Sequence, residues 1–274
     1  EAAIAAREAG AGELTTCLSR RLTTTPFELL FSGELDAVSS HTWVDVSGHS
    51  RISGGKMIGD GTVGLNGGST LSGFGNIESD FHNSGIVSPG PTAADILVMK
   101  NNHVTGVGDF AGPGTIVCDG CLWDIGASPA QINVTNLEFT PDATLRIEIG
   151  GSTPGTDYDQ LNVSGQLTLG GTLELVLING YSPSGDDTFE IIFLDENGPG
   201  AVSNGMFSEV QGAILASGLT MAPVFGDADT VLTLKAAVAG DADFDGIVDV
   251  ADLGILGANF NADDMQWDTG DFNL

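Results

Sequence analysis

The sequence predicts an all-β protein: a parallel β-solenoid followed by a β-rich domain, sandwich-like or a capped solenoid end, closing on a small loop-helix element. Three observations predict it. Forty glycines and only 7% aromatic residues separate short β-branched runs with no every-third-residue period, which suits stacked strands joined by tight turns rather than collagen. Short apolar-polar alternations recur from about Phe31 to Trp123, and longer strands follow from about Gln131. After Ala239 the composition turns to Asp, and the clear helical spacing of the second half appears there.

Charge narrows the partners. Eight Lys and Arg against 37 Asp and Glu leave a net charge of -29 over 274 residues. Nucleic acid and anionic membrane surfaces are repelled, and cations are the natural partners. No run reaches the roughly 18 apolar residues of a membrane helix, so no membrane insertion is expected. The chain opens at Glu1 with no charged n-region and apolar h-region, so no export signal is expected in the sequence as it stands. Cys17 has no evident partner, while Cys118-Asp119-Gly120-Cys121 has the spacing of a turn-closing disulfide or of two idle thiols. No second pair completes a zinc site.

The elements follow in order. Residues 1–29 form a poorly defined N-terminal segment, Ala-rich at its start and carrying the Arg20-Arg21 pair. Residues 30–131 read as the β-solenoid. Its apolar members Val63, Leu71, Ile77 and Ile86 are expected to point inward in succession, one per face of a three-sided coil, with small residues at the corners. Residues 132–237 read as the β-rich domain, with strands over Ile132–Thr140, Thr144–Ile149, Gln160–Val163, Gln166–Leu169, Thr172–Ile178, Thr188–Leu194 and Thr230–Leu234. The alternation of Leu167 to Leu175 about Gly170-Gly171 fits a hairpin or a solenoid corner. Asn133-Val134-Thr135 and Asn162-Val163-Ser164 match the glycosylation pattern, but strand composition accounts for them.

Asn83-Ser84-Gly85-Ile86-Val87-Ser88-Pro89-Gly90, then Ala143-Thr144-Leu145-Arg146-Ile147-Glu148-Ile149-Gly150-Gly151, then Gly155 to Gly165 resemble phrases of bacterial exported β-solenoid proteins of the autotransporter-passenger type. The resemblance covers about residues 50–236. It implies a secreted or cell-surface scaffold or adhesin and transfers no catalytic residue.

Residues 238–274 carry the sharpest chemistry. Asp241-Ala242-Asp243-Phe244-Asp245-Gly246-Ile247-Val248-Asp249-Val250-Ala251-Asp252 places carboxylates at loop positions 1, 3, 5, 9 and 12 and glycine at 6. A hard dication takes six to eight oxygens, and a short loop supplies them when alternate side chains point inward and the backbone turns sharply midway. The expected calcium ligands are the side chains of Asp241, Asp243 and Asp245, the carbonyl of Ile247, Asp249 directly or through water, and the closing carboxylate of Asp252. Five crowded carboxylates without an ion repel, so ion binding is expected to fold the loop and the following helix together. Asp249 can cap that helix, whose Leu253, Leu256 and Phe260 share one face. Gly226-Asp227-Ala228-Asp229 stops after two carboxylates and does not complete a loop.

This EF-hand-like segment resembles one half of a type I dockerin, on the calcium loop and on Asp252-Leu253-Gly254-Ile255-Leu256. Gly270-Asp271-Phe272-Asn273 parallels Gly240-Asp241-Ala242-Asp243 as the start of a second repeat, of which only positions 1 and 3 are present. The resemblance implies calcium as cofactor and a cohesin-like domain as partner, although Val250 and Ala251 stand where many cohesin-binding dockerins carry polar recognition residues.

No catalytic residues are expected. His41, His49, His82 and His103 lack any HExxH or other paired spacing, and no GxSxG elbow occurs. Asp157/Asp159 and Asp186/Asp187 read as turn residues, since glycoside hydrolysis needs two carboxyl groups facing each other at a set distance. The functional expectation is a non-catalytic extracellular scaffold or adhesin with a calcium-dependent attachment module, its partner a cohesin-like domain or a surface glycan. The alternative is a non-catalytic part of a polysaccharide-degrading, cellulosome-like protein.

Overall fold

The computed structural model describes residues 29–31, 34–36, 43–46, 48–126, 129–185, 187–195, 202–215, 217–225 and 231–260. The expectations for residues 1–28, for the Gly226–Asp229 stretch and for the repeat beginning at Gly270 lie outside them, as do Cys17, His41 and Asp186.

The short alternating runs wind into successive coils. The first holds β1 (Leu29–Phe31), β2 (Glu34–Asp36) and β3 (Trp43–Val46); the next holds the long β4 (His49–Ile58) and β5 (Thr62–Leu65). Then come β6 (Thr70–Ile77) with β7 (Asp80–Asn83), and β8 (Ile86–Pro89), β9 (Ile96–Lys100) and β10 (His103–Gly106). The following coils are β11 (Asp109–Phe110), β12 (Thr115–Asp119) and β13 (Leu122–Asp124), and β14 (Gln131–Val134), β15 (Leu137–Phe139) and β16 (Thr144–Ile149). The last full coils are β17 (Gln160–Val163), β18 (Gln166–Leu169) and β19 (Thr172–Leu177), and β20 (Thr188–Leu194), β21 (Val202–Gly205) and β22 (Glu209–Gln211). The chain ends in β23 (Leu219–Phe225), β24 (Val231–Val238) and α1 (Val250–Ala258).

Up to the cap, strands pair in parallel with their counterparts one coil on, which gives three faces. Leu71, Val87, Phe110, Val134, Val163 and Leu194 stack in register along one. Ile77, Met99, Cys118 and Phe139 stack along the second. Val63, Phe81, Val104, Trp123, Leu145 and Leu173 stack along the third. All of these side chains are buried, so the core is three apolar columns meeting on the axis. Trp123 lies 4.8 Å from Phe110 and 6.0 Å from Phe139, ring centroid to centroid, and joins the columns there.

The order Val63, Leu71, Ile77, Ile86 is corrected at its last member. The first three are fully buried, but Ile86 is 44% exposed and Val87 takes the inward position. Side chains alternate faces with period two, so a shift of one residue exchanges inside for outside. Thr135 and Asn136 also divide the expected strand Ile132–Thr140 into β14 and β15.

The parallel ladder crosses residue 131 without interruption, since Gln131 pairs with Gln160 and Val134 with both Phe110 and Val163. Gly170-Gly171 is a solenoid corner, because β18 and β19 belong to different sheets. Antiparallel pairing comes last: β24 runs against β20 and β23 against β24, which caps the parallel ladder. Pro223 sits in β23, the last strand at that end of the sheet, where a missing N–H is tolerated. Among the described residues no helix is long and apolar enough to cross a membrane.

Coils lengthen toward the cap. The side chains of His49 and Thr70, 21 residues apart, bond across one coil, whereas the side chains of Gln131 and Gln160, 29 residues apart, bond across a later one. The extra length is a corner insertion after β16, pinned by the fully buried Asp159, whose two oxygens accept from the N–H groups of Ala130 at 2.8 Å and Glu148 at 2.7 Å. Burial pushes this carboxyl up to about 7, against the pull of the two N–H donors.

Candidate metal centre

β24 delivers the chain to the loop. Gly240 has φ 93° and Gly246 φ 85°, backbone that L side chains adopt at a cost, and between them the chain folds back on itself. The N–H of Asp241 bonds the Val238 carbonyl at 3.0 Å, tying the loop to the last strand. Lys235 of β24 places its ammonium 4.3 Å from the Phe244 ring centroid, a cation–π contact across the same junction.

The loop closes on its own carboxylates. Asp241 accepts from the N–H of Asp245 at 3.2 Å through one oxygen and of Gly246 at 2.9 Å through the other. Asp252 accepts from Ala242 at 2.7 Å through Oδ1, and from Asp249 at 2.7 Å through Oδ2. Asp249 in turn accepts from Ala251, completing a reciprocal cap at the start of α1. Asp241 and Asp252 are buried, 1% and 3% exposed.

Oxygen atoms of Asp241, Asp243 and Asp252 all lie within 4.8 Å of one another. These three carboxylates could hold a metal ion: they are hard donors, and each oxygen that accepts one N–H keeps a second lone pair. Of the other expected ligands, Asp245 accepts from the Ile247 N–H at 2.8 Å and Asp249 caps the helix, and neither carboxylate belongs to that group. The Ile247 side chain is 60% exposed. Lost hydration, together with the nearby carboxylates of Asp245, Asp252 and Asp241, holds the Asp243 carboxyl above its usual range, while an N–H bond from Asp245 opposes the shift. Asp252 is held below it, foremost by the Asp249 N–H.

The central role of Asp252, which accepts at both oxygens and starts the helix, was written in the spacing Asp249-x-x-Asp252 as a capping box as well as a loop end. Beyond it, the helix face expected from Leu253, Leu256 and Phe260 has Leu253 at 64% and Phe260 at 74% exposure, with Val250 at 79% beside them.

The remaining candidates make hydrogen bonds within the fold. His82 Nε2 lies 3.1 Å from Ser84 Oγ and its Nδ1 2.9 Å from Thr105 Oγ1 on the next coil. His103 bonds Asp124, and Arg146 joins Asp124 to Glu174, forming a charge ladder along the third face. Asp157 and Asp187 accept from the N–H groups of Thr153 and Ser184 and so hold turns. Cys118 and Cys121 form a disulfide across the corner between β12 and β13. In comparisons with known proteins, no family model and no curated protein matches the chain.

Proposed function

We propose that this chain is a non-catalytic extracellular scaffold or adhesin-like β-solenoid whose C-terminal loop binds calcium as a dockerin-type attachment module. One observation carries the reading: at the capped end of the solenoid, three carboxylates from both ends of a glycine-turned loop converge within 4.8 Å, in a chain of net charge -29. Calcium is the choice among cations because the donors are all oxygen and calcium accepts varied coordination geometries, whereas magnesium demands near-ideal octahedral geometry. Neutralising the group would relieve the repulsion on Asp243 and brace the start of α1. The Cys118–Cys121 disulfide supports an oxidising compartment, hence a secreted or cell-surface location.

The test is a calcium chloride titration of the EDTA-treated full chain, followed by calorimetry and far-ultraviolet circular dichroism. Saturable heat and added helical signal are expected, both lost in Asp243→Ala. A flat titration overturns the reading.

The exposed Leu253 and Phe260 favour a second reading of the same module, docking onto a cohesin-like domain within a polysaccharide-degrading assembly. Calcium-dependent retention on an immobilised cohesin domain, lost in Leu253→Asp, supports it. No retention overturns it.

A further inference from the structure

A groove of about 280 Å³ runs along the outer side of the first face, across β11, β14, β17 and β20. Its wall is an in-register column. Asn133 Nδ2 donates to Asp109 Oδ1 at 2.9 Å, and Asn162 Nδ2 donates to Asn133 Oδ1 at 3.1 Å. The next position in register after Asn162 is Phe193, whose ring is 40% exposed. A parallel column two residues on carries Ser164 and Asp195. The groove therefore offers hydroxyl, carboxamide and carboxylate groups along its length and an apolar ring at the end nearer the cap.

The geometry points to a binding site for a linear, uncharged polysaccharide. Sugar hydroxyls both donate and accept, which matches fixed carboxamides and carboxylates, and the C–H face of a pyranose packs on an exposed aromatic ring. No Lys or Arg lines the groove, so acidic sugars and phosphates find no counter-charge. An extended peptide fits less well, because these four strands lie inside the sheet, each bonded on both sides, and leave no edge for main-chain pairing. The column positions Asn133 and Asn162 one coil apart, each in an Asn-Val-Ser/Thr phrase, so the repeated phrase builds a repeated hydrogen-bonding site.

The site binds rather than cleaves. Asp109 and Asp195 stand at opposite ends, three ladder steps apart, which is about 14 Å at the usual strand spacing. Glycoside hydrolysis by paired carboxyl groups needs roughly 5 to 9.5 Å.

Affinity electrophoresis of the full chain tests this, in native gels containing mixed-linkage β-glucan, galactomannan or arabinoxylan, with polygalacturonate as the acidic comparison and EDTA in a parallel set. At least one neutral polysaccharide should retard the chain with or without EDTA, and polygalacturonate should not. Phe193→Ala should weaken the retardation by about tenfold through loss of the packing ring, Asn162→Ala should weaken it too, and Phe193→Tyr should restore it. Matching circular dichroism and melting curves exclude misfolding of the variants. Mobility unchanged in every neutral gel, retardation insensitive to Phe193→Ala, or retardation abolished by EDTA would each overturn the assignment. Competition by an oligolysine peptide stronger than by the polysaccharide's own oligosaccharides would give the groove to a cationic peptide instead.

Discussion

The carboxylate of Asp252 accepts a 2.7 Å hydrogen bond from the backbone N–H of Ala242, ten residues earlier, so one side chain closes the loop and starts the helix. Asp252→Asn keeps an acceptor oxygen but loses the charge; Asp252→Ala loses both. The asparagine variant is expected to retain most of the helical signal while losing the calcium response, and the alanine variant to lose both. Circular dichroism with and without calcium separates the two. Equal behaviour of the variants would mean that the closing bond contributes nothing to α1.

Asp159 makes stability depend on pH. Burial pushes its folded carboxyl up to about 7 from the ordinary 3.8, so between those values the unfolded chain has released a proton that the folded chain holds. The contribution is fully present below about pH 3.8 and is lost as pH rises through about 7, a span on the order of a few kcal/mol. Melting temperatures across pH 4.5 to 8 should fall with rising pH. Asp159→Asn should flatten that slope and cost about 1–3 kcal/mol, because its amide meets one of the two N–H donors instead of accepting from it. An unchanged slope in the variant assigns the titration to another group.

Gly73 lies in β6 with φ 114°, and a Cβ there would overlap the Ile52 carbonyl oxygen of the preceding coil. Gly68, at φ 76°, has nothing within 4 Å of the same position. Gly73→Ala is therefore expected to cost more than the roughly 1–3 kcal/mol of backbone strain alone, and Gly68→Ala no more than that strain. Chemical denaturation of both variants checks the order. Equal costs would show that coil-to-coil approach at Gly73 is not limiting.

The Cys118–Cys121 disulfide closes so short a loop that its removal should cost no more than about 2 kcal/mol. Replacing both cysteines with serine also places hydroxyls at two buried positions, so replacement with alanine isolates the cross-link. A melting temperature that drops equally on reduction and in the double alanine variant identifies the bond itself as the stabilising element.

Residue order alone determined much of this protein. Strand alternation and corner glycines are local, and they made the solenoid legible. The fixed offsets of Asp241, Gly246 and Asp252 likewise marked the loop, because a loop that could hold an ion needs its donors at set positions. Tertiary structure decided what depends on which coil lies against which. Val87 rather than Ile86 faces the axis because pairing one coil away sets the register, and a single-residue shift leaves local alternation looking the same. Asp109, Asn133, Asn162 and Phe193 lie far apart along the chain and meet only when β11, β14, β17 and β20 stack. Five loop carboxylates carry the same chemistry in sequence and all accept backbone N–H bonds, yet the oxygens that come within 4.8 Å of one another are those of Asp241, Asp243 and Asp252, because the fold of the loop brings its two ends together.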